Sequence, residues 1–231
     1  MKKITFIFCA LMLATGVAFA QSTFQGTLKY GFNFMGEGIE AFQAMFPTDM
    51  EIAVLKTDLS VEVKGGMAAM AMGRTITKTK TGVSYMIKDS EETIYVMDPA
   101  KQKDKDPAAE EAKPEITKED EVLTLAGYEC QKYKVVSNGE QGENVAYVWV
   151  TDKLMLPKSK VESNKGGMSG MLDIKGVPGT PLKVMTTQMG MTVTITAKEV
   201  DAKAPDKKLF KLPKGYAKED FDMEKMMQGG M

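Results

Sequence analysis

The feature that most constrains this chain is apolar–polar alternation with a period of two, repeated in segment after segment. "TLKYGFNF" sets Leu28, Tyr30, Phe32 and Phe34 on one side and Lys29, Gly31 and Asn33 on the other. "LSVEV" repeats the pattern with Leu59, Val61 and Val63. "MTVTITA" opposes Met191, Val193, Ile195 and Ala197 to Thr192, Thr194 and Thr196. Successive side chains of a strand point to opposite faces, so these segments read as half-buried strands. One apolar and one polar face per strand is the antiparallel signature. "VAYVWV" differs: Val145, Tyr147 and Trp149 alternate with smaller apolar residues, which predicts cover on both faces. "KTG" at 80–82 and "SNGEQGEN" at 137–144 read as hairpin turns, and "KGVPGTPL" at 175–182 as a two-proline loop. About ten strands are expected in all.

Three segments depart from this pattern. In "GEGIEAFQAMFP", Ile39, Phe42, Met45 and Phe46 fall at helical spacing, and Pro47 ends the run. The spacing predicts an amphipathic helix lying on the sheet. A second helical turn is expected near Asp220. The stretch 99–121, "PAKQKDKDPAAEEAKPEITKEDE", is charged and proline-punctuated, with Ile116 its one large aliphatic residue. It reads as a flexible exposed loop inside one domain, since strands of the same kind continue on both sides.

The N-terminus carries a secretory signal. Lys2 and Lys3 precede an apolar run from Ile4 to Val17, and Ala18-Phe19-Ala20 gives a small-x-small cleavage site before Gln21. The run is too short to span a bilayer as a helix. Cys9 lies inside it and not just after it, so no lipid anchor is expected. The start fits a bacterial exporter, which places the chain in the periplasm or outside the cell, in solution. Cleavage after Ala20 leaves residues 21–231, enough for one domain with its own core. No later run is long enough to cross a membrane.

The exported portion has 28 basic against 31 acidic residues, a balance that does not suggest nucleic acid as partner. Arg74 is its one arginine. The chain has no histidine, which excludes Ser-His-Asp and Cys-His catalysis and His-ligated zinc. Cys130, alone after cleavage, cannot form an internal disulfide and reads as a small buried apolar side chain. No phosphate-binding glycine motif occurs. A carboxylate pair for sugar cleavage would need aromatic platforms that a chain with one tryptophan scarcely offers. The expectation is a non-enzymatic protein without a cofactor.

Methionine is the compositional anomaly, with 18 after cleavage. "GGMAAMAMGR" holds Met67, Met70 and Met72; "GGMSGM", "MTTQMGM" and "MEKMMQGGM" follow. Three readings stand open. Thioethers favour Cu(I), and Met70 and Met72 share a face if the segment is a strand, with Met67 joining from a bend. An unbranched, polarisable side chain also suits an apolar surface that adapts to its partner. The third reading is core filling.

Gly127, Tyr128, Cys130, Lys132 and Tyr133 in "GYECQKY", Val148, Trp149 and Val150 in "VWV", and Phe210, Leu212, Pro213, Gly215 and Tyr216 in "FKLPKGY" form an ordered set of motifs. The set resembles an exported bacterial family described as a domain of unknown function, and that family is similar in fold to the LolA/LolB lipoprotein-carrier group. The resemblance implies a mainly β fold: a single curved antiparallel sheet, a LolA-like half-barrel, with one or two covering helices. By analogy it also implies binding of a hydrophobic ligand, whether an acyl chain, a lipid or a lipidated envelope partner. Ile39, Phe42, Met45 and Phe46 would then be lid or groove residues. A Met67–Met70–Met72 copper site and a protein-interaction module with no small ligand are the alternatives.

Overall fold

The computed structural model describes residues 23–102, 113–139, 142–157, 174, 176–188 and 190–222. The Ala20–Gln21 cleavage site and the methionines of 168–171 and 223–231 lie outside them. The described residues build the expected architecture, one open, curved and mostly antiparallel sheet that takes up most of the chain. It has twelve strands: β1 Gly26–Met35, β2 Asp49–Leu55, β3 Asp58–Lys64, β4 Arg74–Lys78, β5 Val83–Lys88, β6 Thr93–Met97, β7 Glu115–Leu125, β8 Tyr128–Gly139, β9 Gly142–Thr151, β10 Thr180–Gln188, β11 Met191–Asp201 and β12 Ala217–Asp220. Their order across the sheet is β12-β6-β5-β4-β3-β2-β1-β11-β10-β9-β8-β7. Two meanders, β1 to β6 and β7 to β11, therefore meet at a central β1–β11 pair.

The alternation read from the sequence sets the register. Leu28 pairs with Ile52 and Tyr30 with Met50. Ile52 pairs in turn with Val61, and Met50 with Val63. Side chains directly opposite in an antiparallel pair lie on one face, so these residues make a continuous apolar surface. All but the edges of that surface are buried, and the same cluster includes Cys130, Trp149 and Leu182 from the second meander. Each large aliphatic side chain buried there contributes about 1.5–3 kcal/mol.

A single sheet has no second sheet to cover it, and this one curls instead. β7 and β11 are four positions apart, about 19 Å in a flat sheet, yet Cα atoms of the two come within 8 Å. Bulges assist the bend, with register shifts at Lys29/Tyr30, Pro181/Lys183 and Lys118/Val122. The Tyr30 hydroxyl donates to the Pro181 carbonyl at 2.9 Å inside the core, tying β1 to the β10 bulge.

Four expectations are corrected. Residues 115–121 are not loop but the first part of β7, an edge strand whose charges blunt its open side. Asp220 itself closes β12, and the residues after 222 in which a helical turn is expected lie outside the described ones. β12 runs parallel to β6, Ala217 opposite Thr93 and Asp220 opposite Val96. The 39–46 segment is a 3₁₀ helix, Ile39–Met45, that buries none of its residues. It starts at Gly38 with no side-chain cap and Pro47 follows closely, leaving too short a run for an amphipathic α-helix to lie on the sheet. Met67, Met70 and Met72 lie not in a strand but in a helix, α1 (Gly66–Met72). Gly65 and Gly66 turn the chain at positive φ, and alanine and methionine then favour helix. A second short helix, α2, is Pro99–Gln102.

Replacing Tyr30 with Phe leaves the Pro181 carbonyl buried without that donor. We expect a loss of about 1–3 kcal/mol, seen as a lower urea midpoint. An unchanged midpoint would remove the hydroxyl from the account of the curl.

Candidate functional site

The largest departure from ordinary burial lies at one end of the sheet. The β1–β2 connection carries Ile39–Met45, the β3–β4 connection carries α1, and the two segments touch. Met67 is 65%, Met70 80%, Phe42 56% and Met45 49% exposed, with Met35 and Met72 also open. Phe42 and Met45 from one segment and Met67 and Met70 from the other give an apolar surface of thioethers and one phenyl ring. α1 is anchored beneath by Ala69, which is buried in the main core.

Close packing of two backbones holds the surface together. A Cβ on Gly66 would stand 2.1 Å from the Phe46 carbonyl oxygen, and its φ is +66°. Any other residue there would push α1 off the Met45–Phe46 backbone. Beneath Met45, Phe46 stacks on Phe34 at 4.4 Å, and Phe34 on Phe32 at 6.0 Å. Phe32 packs against the core. A row of aromatic rings thus leads from the interior to the exposed methionines.

The sequence brings Ile39, Phe42, Met45 and Phe46 forward, and the structure places them here, but as an open surface. Ile39 and Phe46 are half-buried, and Phe42 and Met45 face solvent. Met67 and Met70, three apart in α1, share a side of the helix, whereas Met72 lies roughly 160° around from Met70. The shared strand face offered for Met70 and Met72 as copper ligands is therefore not formed. Met35 was not singled out in the sequence, and Phe34 only as part of the apolar face of β1. The signal available was that the β1 alternation continues up to the glycine pair flanking Glu37.

Two cavities lie away from Ile39–Met45. One of 10 Å³, about the room of a single water, lies between Glu51, Glu62, Arg74 and Leu209. An open groove of 340 Å³ runs along β8–β10 past Lys134, Glu143, Tyr147 and Met185, with mixed polar and apolar walls. No group of acidic, cysteine or histidine side chains suited to a metal occurs among the described residues.

The motif residues are spread through the fold and serve it. Ala126 and Gly127, both at positive φ, make the tight β7–β8 turn. Tyr128 packs on the main core, while Tyr133 packs with Val135 and Val148 in a second cluster. Cys130 is fully buried, and burial pushes its thiol up to about 11. Phe210 is buried, and Pro213 and Gly215 carry the chain on to Tyr216. Tyr216 packs on Ile76, Ile87 and Ile94 and donates to Asp89 at 3.0 Å. The lone arginine, Arg74, donates to the Leu209 carbonyl of the same C-terminal strap.

Trp149 has a setting that sequence reading missed, because it depends on cross-strand register. Lys183 and Lys132 are its paired neighbours on either side, with ammonium groups 4.3 and 5.2 Å from its ring. The indole N–H donates to Glu121 at 3.0 Å. Lys132 binds Glu119 at 2.8 Å and Glu121 at 3.0 Å. The Lys132 bond, then the indole bond, hold the Glu121 carboxyl below its ordinary value.

A family model described as a domain of unknown function, DUF4412, matches residues 35–216. No curated protein matches the chain. Among solved structures the chain is similar to LprF from Mycobacterium bovis, at 11% identity and a TM-score of 0.33, over 80% of this chain and 90% of that one.

Because Glu121 titrates below its ordinary value, its ion pair and indole bond persist above pH 4.5 and are lost as pH falls through the lowered value. The chain's one tryptophan reports this directly. Trp149 fluorescence should titrate below pH 4.5, and Glu121→Gln should abolish the step. A step that survives the substitution would assign it to another group.

Proposed function

We propose that this chain, which belongs to the DUF4412 family, is a non-enzymatic exported protein of a bacterial envelope that binds a hydrophobic ligand. The ligand class is an acyl chain, free or carried by a lipid or a lipidated partner. The binding surface is the apolar end of the sheet formed by Phe42, Met45, Met67 and Met70. One observation carries the reading: four large apolar side chains from two separate connections gather in solvent, on elements that the Gly66 contact holds together. A contiguous apolar surface of this kind marks an interaction site more often than not. Methionine suits a ligand without fixed shape, because its side chain repacks at little cost. Each methylene buried against it contributes about 0.8 kcal/mol. The N-terminal Lys2–Gln21 pattern supports export. The absence of histidine and the buried, un-ionised Cys130 support a binding role over a catalytic one.

The test is native mass spectrometry of the protein from an exporting host, purified without detergent. Added mass in the fatty-acid or phospholipid range, lost on solvent extraction, is the expected result. Binding of a fluorescent long-chain fatty acid should weaken about tenfold when Met67 and Met70 are both changed to Gln. A bare polypeptide mass that does not change after incubation with lipid would sink the proposal. Uptake of Cu(I) in place of lipid would transfer the role to the thioethers as metal ligands.

A further inference from the structure

Among the described residues the methionines range from buried to open, with Met97, Met155, Met185 and Met191 half-buried. Met50 and Met86 are buried, as is the one thiol of the exported portion, Cys130. Met35, Met45, Met67, Met70 and Met72 are open, and four of the five lie on α1 or the 3₁₀ segment it touches. A buried thiol far from ionisation is a poor nucleophile, so Cys130 offers peroxides no competing target. Among the described residues, two-electron oxidants therefore meet these five thioethers first, with Met70 and Met67 the most open.

We propose that Met67 and Met70, with Met45 beside them, are a methionine-sulfoxide modification site that switches off the apolar surface. The oxidant class is a peroxide or a hypohalous acid. With hydrogen peroxide, the O–O bond breaks and one oxygen bonds to the thioether sulfur. The sulfur loses two electrons, and the second oxygen leaves as water. The product is polar where the parent was apolar, and reductases for it reverse the change. α1 tolerates the added oxygen because Met67 and Met70 face solvent while Ala69 anchors the helix in the core. The fold therefore survives oxidation while the surface changes character. The consequence for binding rests on the function proposed above; the modification itself does not.

Titration of the full chain with hydrogen peroxide, followed by peptide mass spectrometry, tests the site. Oxidation at Met45, Met67 and Met70 should run on the order of tenfold ahead of Met50 and Met86, whose reaction requires opening of the fold. Affinity for a fluorescent long-chain fatty acid should fall about tenfold with the modification. Methionine sulfoxide reductase added to the oxidised protein should restore the affinity. Equal oxidation of Met50 and Met86 would overturn the proposal, as would an affinity for the probe that does not change when Met45, Met67 and Met70 are oxidised. If oxidation is selective but the untreated protein binds no fatty acid, the ligand assignment fails and the modification site stands.

Discussion

A single sheet must bury its own apolar face, and everything else in this molecule follows from how it does so. Twelve strands in one layer present more apolar surface than two short helices can cover. Curling brings β7 back toward β11 and lets side chains from both meanders share one core. Bulges at β1–β11 and β9–β10 make the bend possible, and the Tyr30–Pro181 hydrogen bond satisfies a carbonyl that the bend would otherwise leave buried alone. The helical connections are thereby freed from covering the sheet. They can stand at its end with their own apolar side chains in water.

Much of the sheet was legible because its signal is local. The β1, β3 and β11 alternations fix which side chains face together, and the turns at 80–82 and 137–144 fix the hairpins. β7 escaped because an edge strand needs only one hydrogen-bonded side, and its charge pattern is that of a solvated loop. β12 escaped because a four-residue parallel pairing has no periodicity to read. Its position comes from Leu212 and Tyr216 docking the strap on Ile76, Ile87 and Ile94.

The site was half legible. Composition pointed to methionine, and spacing grouped Ile39, Phe42, Met45 and Phe46. What failed was secondary structure at short range. "MAAMAM" satisfies a strand alternation and a helix propensity equally well, and Gly65–Gly66 decides between them by turning the chain before the segment begins. The contact between α1 and the Phe46 carbonyl is invisible in sequence, since it joins positions that share no pattern. The same limit hid the Lys132–Trp149–Lys183 row, which depends on register across three strands.

The strand order has a consequence in time. The two meanders close through neighbours, but the pair that joins them links Thr27 to Asp201. Closing a loop of that length costs roughly 4–5 kcal/mol of chain entropy before any contact offsets it. Each half can assemble locally as it leaves a ribosome or a translocation channel. The joint core, with Tyr30 on one side and Trp149 on the other, must wait for β11 to emerge and find β1. Synthesis from the N-terminus thus presents β1 first, and the fold is completed near the end of the chain. Until then β1, already paired with β2, keeps its other edge open.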